Sequence, residues 1–247
     1  MSVMCIDLIL QQITASDLQN DLQALYKVIM KLGARLLVDL FSILVLVKLI
    51  YHRLYKRNDL FFQVKRFVLE LQPKTFIIEN VDGLLKGPMK GVFNKIMEDL
   101  LTLNYRIRWK SMNSLYYGVP QSRQRLIIMG VRNDLDKEPV FPDHNVNIQF
   151  IGDVINNINF HSRGQFDRKL KNINSFAYTI TKTPSMFFIE NGVKRQPTIE
   201  ELKILQGFPE DFKLVGSFNE QWGLIGNSVP PPLSKKLGET ILSKILN

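Results

Sequence analysis

The sequence predicts an α/β fold, a sheet covered by helices on both faces and joined to a smaller irregular lobe. Two observations carry this. From Asn58 to Val131, amphipathic helical patterns alternate with short apolar runs of the kind strands favour. From Asn133 to Arg195 the alternation stops, Asn, Phe and Ile rise, and turn residues interrupt every run. A chain of 247 residues with 45% apolar content can bury a sizeable core.

The first stretch, residues 1–57, diverges from this pattern. Leu18, Leu22, Leu25, Ile29 and Leu32 recur at helical spacing and predict a helix over Asp17–Lys31. The apolar run from Leu36 to Val47 contains Asp39 and is too short to span a membrane, so it predicts a buried helix or strand. Tyr51–Arg57 is basic and aromatic, which suits either a solvated edge or nucleic acid.

The portion over 58–132 is more regular. Asn58 can cap a helix whose buried face is Leu60, Phe61, Val64, Phe67, Val68 and Leu71. Gln72-Pro73 ends it, because the residue before proline resists helical geometry. Thr75–Glu79 then reads as a strand that ends abruptly in Glu79-Asn80, followed by the turn signal Asp82-Gly83. A second amphipathic helix is predicted over 89–103, a strand over Tyr105–Met112 and a buried strand over Leu126–Val131. The lobe, 133–197, predicts short strands around Phe176–Ile180 and Met186–Ile189, and Asn191-Gly192 signals a hairpin. Thr198-Ile199-Glu200-Glu201 has the form of a capping box and opens a helix that Gly207 and Pro209 stop. Gly226–Pro232 reads as a turn feeding a last helix, Leu233–Leu246, within the C-terminal return over 198–247.

Charge narrows the partners. The net charge is +9 and the pI about 9.6, which favours an anionic partner such as nucleic acid. Cys5 is the one cysteine, so neither an intrachain disulfide nor a cysteine-built metal site can form, and His52, His144 and His161 lack ligand spacing; no metal is expected. No basic start followed by an apolar core marks a secretory signal, so an intracellular protein is expected, cytoplasmic if bacterial, with no membrane partner.

Three stretches point to chemistry. Open α/β sheets build sites where a buried strand delivers polar groups to its C-terminal edge, as Glu79-Asn80 does here. Gly118–Arg125 is a turn that sets Arg123 and Arg125 two apart as a strand begins, so both would point to one side and offer forked donors to phosphate or a carbonyl. Gly226-Asn227-Ser228-Val229 is a polar turn before a helix, a pattern that ordinary capping also produces.

In this order, Asn58–Phe62, Pro73–Val81, Tyr117–Arg125, Leu205–Pro209 and Gly226–Pro230 together resemble the later motifs of the DNA (cytosine-5) methyltransferase family, over about 190 residues. The resemblance implies a Rossmann-like sheet dependent on S-adenosylmethionine, here incomplete, with the lobe over 133–197 as target-recognition domain. It implies double-stranded DNA as substrate, from which a cytosine is flipped. In that family a cysteine thiolate adds to C6 and makes C5 nucleophilic toward the methyl donor, while a carboxylic acid meets the charge that develops at N3. Glu79 would be that acid, at a site where a raised pKa is plausible, and Asn80 would brace the cysteine loop. Arg125 would hold the base carbonyl O2, and Arg123 would support phosphates or the loop. Leu60, Asn227, Ser228 and Val229 would line the cofactor pocket. DNA contacts are expected from Gln121 and from the basic lobe residues Arg163, Arg168, Lys169, Lys171 and Lys182.

The resemblance stops before Asn58. The Phe-x-Gly-x-Gly cofactor loop and the Pro-Cys nucleophile loop of the family are absent; Gly33 is the lone glycine there, and no proline precedes Asn58. Cys5, preceded by Met4, lacks the context that activates a thiolate. S-adenosylmethionine binding is therefore expected to be impaired and the lone chain inactive. Either the missing motifs sit on a complementary methyltransferase subunit, or residues 1–56 are foreign sequence after a frameshift or deletion. The second is favoured by the Leu/Ile/Tyr/Lys-rich run before Arg57, and a Pro-Cys codon pair upstream of Asn58 in another phase would establish it. A restriction-modification system or a virus is the expected setting. A catalytically dead DNA-binding remnant is the alternative function.

Overall fold

Apolar spacing accounts for the first elements of the computed structural model, which describes residues 60–144, 148–163 and 170–247. Helix α1 (Leu60–Leu71) buries Val64, Phe67 and Val68, one stripe at helical spacing. It stops at Gln72, whose left-handed backbone (φ 45°) lets the side-chain amide donate back to the Leu69 carbonyl at 3.0 Å. Pro73 follows, and strand β1 (Thr75–Val81) begins. Thr75 to Ile78 are all buried, so both faces of β1 are covered. A short 3₁₀ turn over Asp82–Leu85 leads to helix α2 (Met89–Leu101), which buries Phe93, Ile96 and Leu100. Strands β2 (Tyr105–Asn113) and β3 (Gln124–Arg132) complete the sheet.

The order within that sheet is β1-β3-β2, so the last strand in sequence lies in the middle. β1 and β3 run antiparallel, in register from Thr75 opposite Val131 to Val81 opposite Arg125. Val68, Phe76, Phe93, Leu100, Leu126 and Ile128 share one hydrophobic core on the α1–α2 side. Gly130 is required there: a Cβ would lie 2.2 Å from the Phe76 ring. Tyr105 meets the same ring edge-on at 5.2 Å, its hydroxyl donates to the Pro73 carbonyl at 2.6 Å, and burial pushes its phenol up to about 12.

The chain divides into two compact units. The first holds the described residues up to Met112 together with Arg125–Pro142 and Leu237–Asn247; the second holds Asn113–Gln124 and Asp143–Lys236. These units follow other bounds than the linear ones expected from sequence, since 113–124 and all of 198–236 group with the lobe and 133–142 with the first unit.

In the second unit four short strands, β4 (Phe160–Arg163), β5 (Lys171–Asn172), β6 (Met186–Glu190) and β7 (Val193–Arg195), form an antiparallel sheet in the order β5-β4-β6-β7. Asn191 and Gly192, both at positive φ (50° and 79°), make the predicted β6–β7 hairpin turn. Phe176–Ile180 is not a strand. It makes a single bridge, Ala177 to Gln121, because its backbone groups bond to the turn over 120–123 instead. Helix α3 (Ile199–Gln206) has the predicted capping box: Thr198 Oγ1 accepts from Glu201 N at 3.1 Å and Glu201 accepts from Thr198 N at 2.7 Å. Helix α4 (Phe218–Asn227) was not foreseen, although Ser217-x-x-Glu220 is a second capping box. Gly226 and Asn227 are therefore the end of a helix rather than a turn. Helix α5 spans Pro231–Ile241, and a π-helical turn, Leu242–Leu246, ends the chain. The expected N-terminal elements, the Asn58 cap and Cys5 lie outside the described residues.

Candidate active site

The register of β1 on β3 decides the fate of Glu79. Arg125 lies opposite Val81, so the side chains of Glu79 and Arg125 are diagonal neighbours on one face. They form an ion pair at 2.8 Å with side chains only 2% and 12% exposed. Burial pulls the Arg125 guanidinium below its usual value, and the Glu79 carboxylate opposes that shift. Next to the pair, the Asn80 side-chain oxygen Oδ1 accepts from Val81 N at 2.7 Å. Asp82 accepts from the Ser111 hydroxyl and pairs with Lys86 at 2.7 Å, and those bonds hold its carboxyl below the ordinary range. A carboxyl group and a forked donor side by side, shielded from water, suit a planar heterocycle presenting a ring nitrogen beside a carbonyl.

The second unit uses its motif residues differently. Arg123 precedes β3, so it does not share a strand face with Arg125 as expected. It is 1% exposed and donates to three carbonyls: Ile180 at 2.8 Å, Gly226 at 2.8 Å and Ser228 at 3.0 Å. Gln121 is also fully buried. Its amide donates to Leu205 O at 3.1 Å and Gln206 Oε1 at 2.7 Å, and accepts from Ile180 N at 3.0 Å. From the sequence Arg123 is expected to support phosphates or the loop and Gln121 to contact DNA; in this structure both side chains bond inward.

Gln206, which sequence reasoning treated only as part of a helix stop, completes the network. Its amide donates to Ile225 O at 3.1 Å and to the carbonyl and hydroxyl of Ser228 at 3.0 and 2.9 Å. No local pattern marks it, because its partners are about twenty residues away in sequence. Gly226 is also fixed from outside its helix, since a Cβ would lie 2.2 Å from the Thr181 carbonyl. Asn227, Ser228 and Val229 follow, half-buried, so this segment keeps accessible surface.

The remaining predicted site residues scatter. Lys171 lies over the rings of Phe176 and Tyr178 at 4.7 and 4.4 Å. Lys182 is exposed; Arg163 closes β4, and Leu60 opens α1. Arg168 and Lys169 lie outside the described residues. Among the described residues no group of His, Cys, Asp and Glu could hold a metal ion, and no helix is long and apolar enough to cross a membrane.

Comparison with known proteins agrees with these motifs. The sequence model of the C-5 cytosine-specific DNA methylases matches residues 54–176 and 150–243. The chain is 31% identical to the type II methyltransferase M.DsaV of Dactylococcopsis salina over 77% of its length and 63% of that protein. It is 25% identical to M.BsuFI of Bacillus subtilis, covering 78% of this chain and 53% of the relative. The chain thus spans between half and two thirds of these two relatives. In fold it is similar to the S. pombe Dnmt2 methyltransferase, with TM-score 0.55, 15% identity and coverage of 77% and 74% of the two chains. That likeness is consistent with the α/β first unit being a partial Rossmann-like fold. With the family match extending over most of its length, the chain belongs to the C-5 cytosine-specific DNA methylases.

Proposed function

We propose that this chain is the C-terminal part of a DNA (cytosine-5-)-methyltransferase, which moves a methyl group from S-adenosylmethionine to C5 of a cytosine flipped out of double-stranded DNA. The observation that carries the reading is the buried Glu79–Arg125 pair at the end of β1. When a thiolate bonds to C6, electron density moves toward N3. Glu79 in its acid form gives N3 a proton or hydrogen bond, and Arg125 donates to O2. C5 would then take the methyl group as the donor's sulfonium–methyl bond breaks to leave a thioether; C5 would lose its proton to a solvent base, and the carbon–sulfur bond to the thiolate would break as N3 returns its proton to Glu79. The incoming base must separate the resting ion pair, so the pair holds both groups in place until substrate arrives. Asn80 borders the space for the nucleophile loop.

The methyl donor supplies an electrophilic methyl group, and this chain offers only part of its site. The half-buried segment Asn227, Ser228 and Val229 keeps an accessible face that suits one wall of that site. The Phe-x-Gly-x-Gly loop is not in the sequence, nor is the Pro-Cys loop. Donor binding is therefore weakened, and the chain alone is either inactive or dependent on a second polypeptide that carries both loops. Arg163, Arg168, Lys169, Lys171 and Lys182 provide the phosphate-facing charge. The type II relatives favour a restriction-modification setting, which would be cytoplasmic in a bacterium.

The test is a labelled-methyl transfer assay on mixed-sequence duplex DNA. The purified chain is run alone and with a polypeptide carrying the two loops from a relative. Transfer is expected only in the mixture and should vanish with Glu79→Gln. Transfer by the chain alone would overturn the dependence on a partner. A second reading, a dead remnant that grips DNA, is favoured by the +9 charge and the absent Pro-Cys loop. It requires salt-dependent duplex binding without transfer in either arm.

A further inference from the structure

Among the described residues β2 is the outermost strand of the first unit's sheet, and it alternates cationic with apolar side chains: Arg106-Ile107-Arg108-Trp109-Lys110. Along it runs a groove of about 600 Å³, lined in part by Leu101, Arg108, Trp109, Lys110, Val140 and Phe141. Three of its apolar residues stand well out in solvent, Leu101 at 61%, Trp109 at 46% and Val140 at 38% exposed. Trp109 is nevertheless held, edge-on to Phe93 at 5.3 Å. An open strand edge beside clustered exposed apolar side chains is unfavourable unless something covers it.

The charges say what that is. Glu138 already sits on this row, 3.6 Å from Arg106 and 3.3 Å from Arg108. Lys110 forms no ion pair among the described residues. The row therefore accepts carboxylates, while the groove beside it takes apolar side chains. A second copy of this chain would set the cationic row against itself, and the +9 net charge opposes it further. A DNA backbone would meet the charges but leave Leu101, Trp109 and Val140 uncovered.

We propose that this groove docks an extended acidic segment of a partner protein, with carboxylates and apolar side chains alternating, laid along β2 as an added strand. The main chain would bond to the free edge, apolar residues would fill the groove, and the carboxylates between them would meet Arg108 and Lys110. The site is separate from the residues of the proposed reaction and does not depend on that reading.

Trp109 makes the test direct. The protein has two tryptophans, and Trp222 is fully buried, so a blue shift on binding reports Trp109. The probe is a short acetylated peptide alternating Glu with Val and Leu. Its control has the same composition with the glutamates in one block. The alternating peptide is expected to give a saturable, salt-weakened blue shift. Leu101→Glu, and separately the pair Arg108→Glu with Lys110→Glu, should each weaken it at least about tenfold, a loss of roughly 1.4 kcal/mol. All three positions line the surface groove, so circular dichroism should show the variants folded. Equal binding of the block peptide, no shift with the alternating peptide, or full affinity in Leu101→Glu would each overturn the proposal. So would duplex DNA producing the shift, or a concentration-dependent dimer that Leu101→Glu abolishes.

Discussion

Arg123 and Arg125 stand two residues apart, yet the two units of the molecule treat them in opposite ways. In the first unit Arg125 is buried against a carboxylate, Glu79. In the second Arg123 is buried among carbonyl groups and acts as a clamp on Ile180, Gly226 and Ser228. Both solve the problem of a desolvated cation, but with different consequences. An ion pair can be opened by a ligand that offers each partner a replacement. A guanidinium that satisfies backbone carbonyls has no such exchange, because releasing it would leave the buried carbonyls of Ile180 and Gly226 without their side-chain donor. The first arrangement suits a reacting site and the second suits a scaffold.

The sharpest way to break this contrast is Arg123→Met. It takes the side-chain donor from the buried carbonyls of Ile180 and Gly226, while Gln206 still donates to that of Ser228, and should destabilise the second unit by about 3 kcal/mol, read as a lower urea midpoint by the fluorescence of buried Trp222. Glu79→Gln should cost about 3 kcal/mol by stranding Arg125, and the double change with Arg125→Met should recover much of it. A double-mutant cycle in which the second change recovers nothing would contradict the pairing.

The acid response should come from the second unit. His161 is fully buried, its Nε2 lies 3.0 Å from the Ser175 hydroxyl, and burial pulls its pKa down to about 4, with the charge on Lys171 acting in the same direction. A base with a depressed folded-state pKa leaves stability intact above its unfolded value near 6.5. That stability is lost as the pH falls toward 4, because the unfolded chain takes up the proton first. The loss should reach no more than about 3 kcal/mol, and His161→Asn should flatten it in urea titrations between those pH values. The smallest effect belongs to helix capping. Thr198→Ala removes the bond to Glu201 N and should lower stability by about 1 kcal/mol, with Thr198→Ser restoring it.

Much of the fold was legible before any coordinate. α1, α2 and the capped helix α3 follow from apolar spacing and short capping patterns, and β1 and β3 follow from buried runs. The Asn191-Gly192 hairpin follows from the positive φ both residues tolerate. What failed shares one cause. Phe176–Ile180 has strand-like residues but spends its backbone bonds on Gln121, Arg123 and Pro120, which are distant in sequence. Helix α4 was overlooked because Gly223 and Gly226 look like turn residues, whereas Gly226 is small to make room for the Thr181 carbonyl. Gln121 and Arg123 look like surface residues in any linear reading, and only their partners show them to be interior.

The sequence by itself determined the family, the element types and the presence of an acid and two arginines in family order, because periodicity, capping and motif spacing are local properties. It also showed that the Gly-rich and Pro-Cys loops are not in this chain. The tertiary structure decided which arginine meets the acid. That choice follows from the β1–β3 register, which sets Val81 opposite Arg125 and so brings Glu79 and Arg125 onto one face. Pairing between strands is a long-range matter, governed by which apolar faces must be buried together, and no short stretch of chain encodes it.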